Sequence, residues 1–428
     1  MNKVTGAFRI VQSLFLNVFL LSIITLQARA QNKDNSDTAQ YLTLKQCIDY
    51  ALQHQPALNQ SFINVSVTKL TNGINLSGWY PQVNITGNLQ HYIQLPTSFF
   101  ADTTGGGGVV KQRTGIANTA IPQLSVTQAL FSPYLLYAAK SAPIFVKQAQ
   151  QVTDSTKIFV VSSLSKVFYN LLLTLEQINV LKEDTVRLSQ SVTDAYHQYV
   201  GGIADETDYE QATITLNNSK AQLRQANENV VPEYAALKQL MGFQVNKQFN
   251  VSFDTLEMMN DIAFDTAQPL QFEKRIEYKQ LQTQRDLQRS LTDYYRHTFL
   301  PTVNAFYTYN YEFESKTYSN LYANAYPNSL VGLSVSFPVF TGFSRIKQVQ
   351  RSKLLEHLYD WSQTELELRI NNEYTTALAN YKSNLYNLQA SQDNVNLAKR
   401  VYFVVQLQYK QGIVAYLNVI TAESNLIT

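Results

Sequence analysis

One unit of sequence occurs twice in this chain. Trp79-Tyr80-Pro81-Gln82-Val83-Asn84 resembles Phe299-Leu300-Pro301-Thr302-Val303-Asn304, 220 positions later. Leu124-Ser125-Val126-Thr127 resembles Leu333-Ser334-Val335-Ser336, 209 later. Gln198-Tyr199, Gly202-Ile203 and Ala212 match Gln408-Tyr409, Gly412-Ile413 and Ala422, 210 later. The matches keep their order and nearly keep their offset. The period is far too long for a solenoid, whose repeats run about 20–50 residues. The chain therefore holds two copies of one large unit.

Each copy reads helix, strand, loop, strand, very long helix, tip, helix. In Gln82–Gln90, Val83, Ile85, Gly87 and Leu89 share one face, opposite Gln82, Asn84, Thr86, Asn88 and Gln90. In Thr302–Glu314, Val303, Ala305, Tyr307, Tyr309, Tyr311 and Phe313 lie opposite Thr302, Asn304, Thr308, Asn310 and Glu312, with Phe306 the exception. Val331, Leu333, Val335, Phe337 and Val339 alternate with Gly332, Ser334 and Ser336. A fourth strand, around Leu124, Val126 and Leu130, carries a weaker pattern. Alternation of this kind marks strands that bury one face. A soluble antiparallel sheet would alternate too. The polar faces, however, are Asn, Gln, Ser and Thr with little Lys or Glu, which suits a water-filled interior.

The long helices show a different period. From Leu164 an apolar stripe runs through Phe168, Leu171, Leu175, Ile178, Leu181, Leu188, Val192, Ala195 and Tyr199. From Leu378 it runs through Tyr381, Leu385, Leu388 and Val395, with Gln392 interrupting. Steps of four and three alternate, the spacing of coiled-coil packing. Pro133 and Gly342 precede the two runs, and Gly201-Gly202 and Gly412 end them. The spacing predicts helices over 134–199 and 343–410, each roughly 100 Å long at 1.5 Å per residue. Pro143 is placed to bend the first. Thr207-Asp208-Tyr209-Glu210 fits a capping box that starts a helix running to about Leu240. Shorter helices are expected over Leu42 to Ser77, with a break at Pro56, and over Leu270 to His297. An irregular connector with a short strand near Phe249–Phe253 joins the copies. The loop from about Leu95 to Ala120 contains Gly105–Gly108 and reads as flexible. The second loop, about Ser315 to Tyr326, is shorter and Tyr-rich.

Composition narrows the function. Charged residues make up 15% of the 428, against about 25% in an ordinary soluble domain. The net charge of +2 excludes nucleic-acid binding as a main activity. The single cysteine, Cys47, excludes an intrachain disulfide or a cysteine-only metal site and reads as a packed small residue. Five histidines, at 54, 91, 197, 297 and 357, are scattered along the chain and read as surface or core residues and not as metal ligands. No nucleophile elbow, zinc-protease motif or phosphate loop occurs. No enzyme, metal site or cofactor is expected.

Residues 1–30 read as an export signal. Lys3 and Arg9 give a basic start, Ile10 to Leu26 is mostly apolar, and Ala28-Arg29-Ala30 offers a cleavage site before Gln31. The rest is read as having no apolar run of the ~20 residues a spanning helix needs, so the exported protein is expected to be membranous only as a β-barrel or bound at the surface. The expected layout is 41–241 for the first repeat, 242–269 for a connector and 270–428 for the second repeat. The fold class is α+β, mainly α. Four strands cannot close a barrel, for which about eight is the small end. An open sheet in lipid would leave backbone groups unpaired at prohibitive cost. Three chains would supply twelve strands and twelve long helical segments: a transmembrane β-barrel continued by an α-helical coiled-coil barrel, which is a conduit.

The duplicated arrangement resembles the TolC-type outer-membrane efflux proteins over about residues 41–428. The matching residues are Trp79-Tyr80-Pro81, Phe337-Pro338-Val339-Phe340-Thr341-Gly342, Tyr199-Val200-Gly201-Gly202-Ile203-Ala204 and Tyr409-Lys410-Gln411-Gly412-Ile413-Val414. The resemblance implies a homotrimer in the outer membrane, with a helical tube in the periplasm. It implies partners too, a periplasmic adaptor and an inner-membrane pump, in efflux or type I secretion. Gly202, Ile203 and Ala204 match one adaptor-docking tip, and Gly412, Ile413 and Val414 the other. Family members often carry carboxylates six and nine residues past the second tip glycine, at the pore constriction. Here those positions are Asn418 and Thr421. Asp208, six past Gly202, is the matching carboxylate. Asp205, Glu206 and Asp208 read either as helix-start electrostatics or as part of a carboxylate ring at a pore mouth. The competing reading of the whole chain is a periplasmic coiled-coil adaptor or scaffold, which would not need four strands with uncharged polar faces. Under the 210-residue offset, Thr428 corresponds to Asn218. The second copy is thus expected to be incomplete, through a longer natural product or a truncated gene, against the alternative of a family variant with a short last helix; Tyr416, Leu417 and Ile420 carry an apolar stripe with no continuation.

Overall fold

The computed structural model describes residues 40–101, 108–254, 258 and 269–427. The expected export signal, Gly105 to Gly107, most of the connector past 254, and Thr428 lie outside the described residues. The first copy holds strand Gln40–Leu42 (β1), helices Leu44–His54 (α1) and Pro56–Leu76 (α2), and strands Gln82–His91 (β2), Thr97–Ala101 (β3), Val109–Arg113 (β4) and Asn118–Phe131 (β5). Helices Pro133–Val200 (α3) and Glu206–Met241 (α4) follow, then strand Phe249–Val251 (β6). The second copy holds helix Ile276–His297 (α5), strands Thr302–Ser315 (β7) and Ala325–Ser336 (β8), and helices Ser344–Lys410 (α6) and Tyr416–Ile427 (α7).

β1 and β6 belong to a small unit of their own, a parallel pair with Tyr41 opposite Asn250. The sequence predicts β6 but not β1, because three residues are too few for alternation to register. The elements that follow belong to the second unit.

Its helices begin where side chains can satisfy free amides. Thr43 and Gln46 form a capping box at α1, with the Gln46 side chain accepting from the Thr43 amide at 2.9 Å. Gln55 and Ser132 cap α2 and α3, each followed by a proline at the first helical position. The capping box expected at Thr207–Glu210 does not form. α4 starts at Glu206, and the Asp205 side chain makes no capping hydrogen bond. Glu206 and Asp208 in the first turn supply negative charge to the helix N-terminus instead.

The main sheet is antiparallel with order β2-β5-β7-β8, so each copy contributes a hairpin and β5 joins β7 at the centre. The register places Val83, Val126, Tyr307 and Val331 in one row across all four strands. Ile85, Leu124, Tyr309 and Ser329 form the next row. Directly paired residues share a face, so the apolar positions of four strands merge into one apolar surface. Phe306 lies on the polar face opposite Gly332, where a Cβ would come within 2.6 Å of its ring. The break in alternation is thus matched by a residue with no side chain. β5, the weakest strand by pattern, spans 14 residues and pairs on both sides. Conversely β8 ends at Ser336, so Phe337 and Val339 fall beyond it; Pro338 has no amide to continue a ladder. The expected flexible loop after β2 contains the β3–β4 hairpin, with Phe99 opposite Lys111.

α3 buries Leu164, Phe168, Leu171, Ile178, Leu181, Leu188 and Ala195 along α2, α4 and α5. Leu175 and Val192 are half-buried, and Tyr199 is exposed. Against expectation, α3 contains an 18-residue window long and apolar enough to cross a membrane. It belongs to a 68-residue helix whose apolar stripe is spent on neighbouring helices. α5 and α6 meet through polar groups: Arg285 pairs with Asp360, and the Gln288 side chain donates to Ser352 Oγ at 2.8 Å. Farther along α6, Leu378, Tyr381 and Leu388 are half-buried, while Leu385 and Val395 are exposed. Cys47 is fully buried in α1, and burial pushes its thiol up to about 11. It is a packing residue with no reactive thiolate at neutral pH.

Candidate docking tips and the junction behind them

The two ends where the long helices turn are built alike. At the first, the Gly202 amide donates to Tyr199 O at 3.0 Å and the Ile203 amide to Gln198 O at 2.9 Å. At the second, the Gly412 amide donates to Tyr409 O at 2.9 Å and the Ile413 amide to Gln408 O at 2.9 Å. This is the Schellman arrangement, whose C′ residue must be left-handed. Gly202 (φ 70°) and Gly412 (φ 72°) supply that conformation without strain. Ile203 and Ile413 then project outward, 71% and 65% exposed. A Cβ on Gly412 would lie 3.8 Å from Ile203 Cγ2, so the two tips sit side by side. Ala204 and Val414 are half-buried, and Val414 packs on the core behind the tips. Of the six expected tip residues, four are exposed and two are half-buried.

That core ties the copies together. Ala195 of α3, Ala212 of α4, Tyr402 and Tyr409 of α6, and Tyr416, Val419 and Ala422 of α7 form one buried cluster. The three alanines let helices approach closely, and the tyrosines fill the space. Lys410 pairs with Asp194 across the junction at 3.3 Å. Burial, then Asp208 and Asp194, push the Tyr409 hydroxyl up to about 12. Asp208 thus lies near Tyr409, half-buried in the first turn of α4. Asn418 and Thr421 occupy the exposed side of α7, three residues apart, with Leu417 beside them. Among the described residues, no group of three or more His, Cys, Asp or Glu could hold a metal ion.

The sequence reading missed one group. Asp184 on α3 and Glu423 on α7 are each 2% exposed, with Arg187 between them. The signal was present. Asp184 falls midway between Leu181 and Leu188 on the α3 stripe, and Glu423 follows Tyr416 and Val419 on the α7 stripe. A carboxylate at a stripe position is buried unless the stripe ends there.

Residues 47–243 match the family described as outer membrane efflux protein. The matched span takes in most of the first repeat. The fold extends the likeness to the second repeat. A solved structure of CusC, described with transmembrane channel formation, aligns with a TM-score of 0.71 at 16% identity, covering 90% of this chain and 86% of that one. The outer membrane protein VceC of Vibrio cholerae gives 0.69 at 13% identity, with 90% of each chain covered. The CmeC outer membrane channel of Campylobacter jejuni gives 0.68 at 19%, covering 90% of this chain and 80% of that one. No curated protein matches the sequence. The fold is that of the outer-membrane efflux channels, a β-sheet portion continued by long paired helices.

Proposed function

We propose that three copies of this chain form an outer-membrane channel, a passive duct from periplasm to exterior that docks to an adaptor and an inner-membrane pump. The observation that carries this reading is the four-stranded sheet. Its outer strands, β2 and β8, each have one edge with no partner strand among the described residues. Both are exposed along nearly their whole length, Val83, Ile85, Val331 and Leu333 included. A free edge in water invites aggregation, and in lipid each unpaired backbone group costs several kcal/mol. Pairing β8 of one copy with β2 of the next removes both edges and makes a twelve-stranded barrel from three chains. Twelve residues of β8 exceed the 9–11 or so needed to cross the hydrocarbon core. The apolar face then meets lipid, and the Asn, Gln, Ser and Thr face lines the lumen. Detergent-extracted protein from the outer-membrane fraction should run as a trimer in native mass measurement. A stable monomer, or recovery in the soluble periplasm, would overturn the reading in favour of a periplasmic scaffold.

Ile203 and Ile413 fit the docking role. An exposed isoleucine at each of two adjoining tips gives a small apolar patch that a solvated turn has no need of. Asp208, Asn418 and Thr421 are assigned to the constriction behind it, with one carboxylate per chain. Changing Ile203 and Ile413 together to Asp should abolish photocrosslinking from the tips to a periplasmic partner, with trimer abundance unchanged. Crosslinking at wild-type yield in the double variant would remove the tips as the docking surface.

A further inference from the structure

The Asp184–Glu423 pair is not needed for conduction or docking, yet it is the most heavily buried charge cluster behind the tips. Arg187 Nη2 donates to Asp184 Oδ1 at 3.1 Å, and Ser219 Oγ of α4 donates to Asp184 Oδ2 at 2.8 Å. Glu423 is served less well. Neither of its oxygens has a hydrogen-bond partner, and the nearest cation, Arg187 Nε, is 3.7 Å from Oε1. The titratable groups facing Glu423 are Asp184 and Arg187 from α3, Tyr402 from α6 and Tyr416 from its own helix. From α4 comes the uncharged Ser219 hydroxyl on Asp184. Two carboxylates against one guanidinium leave one negative charge unbalanced in a nearly closed site. Isolated buried charge is costly, and the usual resolution is to take up a proton. Arg187 already occupies the position of a counter-cation, so a proton suits the site better than a metal ion.

We propose that Asp184 and Glu423 form a proton-held clasp between the two copies. With the proton on Glu423, α7 seats against α3 and α4; without it, the two carboxylates repel and α7 loosens behind the tips. Burial, and then Asp184, push Glu423 up to about 7. A carboxyl raised in the folded state binds its proton more tightly there than in the unfolded chain. The clasp therefore contributes fully below about pH 4.5, weakens as pH rises, and is lost once pH passes about 7. It is tight on the acid side of neutrality and loose on the alkaline side.

Hydrogen exchange of the α7 peptide in the solubilised full-length protein tests this without requiring conduction. After correction for intrinsic rates, protection should fall about tenfold or more between about pH 5.5 and about pH 8.5. Glu423→Gln keeps the shape and a neutral side chain, so its protection should stay high and flat. Unchanged protection in the wild type, or the same pH dependence in Glu423→Gln, would overturn the clasp. If the variant fails to assemble, infrared titration of the wild type decides. A protonated-carboxyl band present near pH 6 and gone by about pH 8.5 supports the clasp, and its absence refutes it.

Discussion

Val331→Arg is expected to prevent stable insertion of the barrel. Val331 is 77% exposed, near the middle of β8, in the apolar row that includes Val83, Val126 and Tyr307. An arginine on the lipid face near the bilayer midplane costs about 2–4 kcal/mol. In the proposed trimer the total rises to about 6–12 kcal/mol, comparable to the whole stability of a domain. The same strand supplies its control. Asn328 lies three residues away on the polar face, opposite Asn310. Asn328→Arg adds the same charge toward the lumen, where it stays hydrated, and the barrel should assemble normally. The measurement is the amount of heat-modifiable trimer in the outer membrane. If the two variants assemble equally well, the sheet does not face lipid on the side assigned to it.

Gly242→Ala should destabilise the helical part by about 2–5 kcal/mol, a large effect for one methyl group. Gly242 ends α4 with φ 66°, and the Phe243 amide donates to Lys238 O at 2.9 Å. A left-handed residue with a Cβ costs about 1–2 kcal/mol. Space is the second difficulty. The added Cβ would lie 2.6 Å from His54 O and 3.1 Å from Gln55 Cα, which is backbone and cannot rotate away. Overpacking of this kind costs a further 1–3 kcal/mol or so. The contact joins the ends of α1 and α4, where Tyr50 stacks on His54 with centroids 4.0 Å apart and Leu237 and Met241 are fully buried. Gly73→Ala, in open space within α2, should instead stabilise by about 0.5–1 kcal/mol. Denaturation midpoints of the solubilised protein distinguish these results. A Gly242→Ala midpoint equal to wild type would show that α1 can withdraw from α4 at no cost.

The elements that were legible in the sequence are those whose signal is periodic and local. The stripe from Leu164 to Ala195 was visible because a helix turns every 3.6 residues wherever it lies. β2 and β7 were visible because apolar and polar side chains alternate along them, which puts each kind on its own face. β5 was weaker to read, since Pro122 and Gln123 interrupt it and its ladder is supplied by neighbours on both sides. The β3–β4 hairpin was missed: five-residue strands beside a glycine run look like a loop until they pair. The Thr207 capping box was a local motif overruled by its surroundings, because α4 starts at Glu206, just after the tip. The position of Glu423 on the α7 stripe marks it as buried, but nothing local to a twelve-residue helix shows that Asp184 will face it.

The sequence by itself determined the duplication, the two long helices, the amphipathic strands and the glycine-marked tips. Each follows from residue type and spacing along the chain, and each recurs in the second copy because the spacing recurs. Tertiary structure alone decided which partners those elements take. The order β2-β5-β7-β8 joins the copies at β5 and β7 and leaves one edge each of β2 and β8 without a partner strand among the described residues. The Schellman turns bring Ile203 beside Gly412, and the same junction brings Asp184 beside Glu423. Periodicity fixes which face of an element is apolar. It does not fix which other face will cover it, because that depends on close packing between residues hundreds of positions apart.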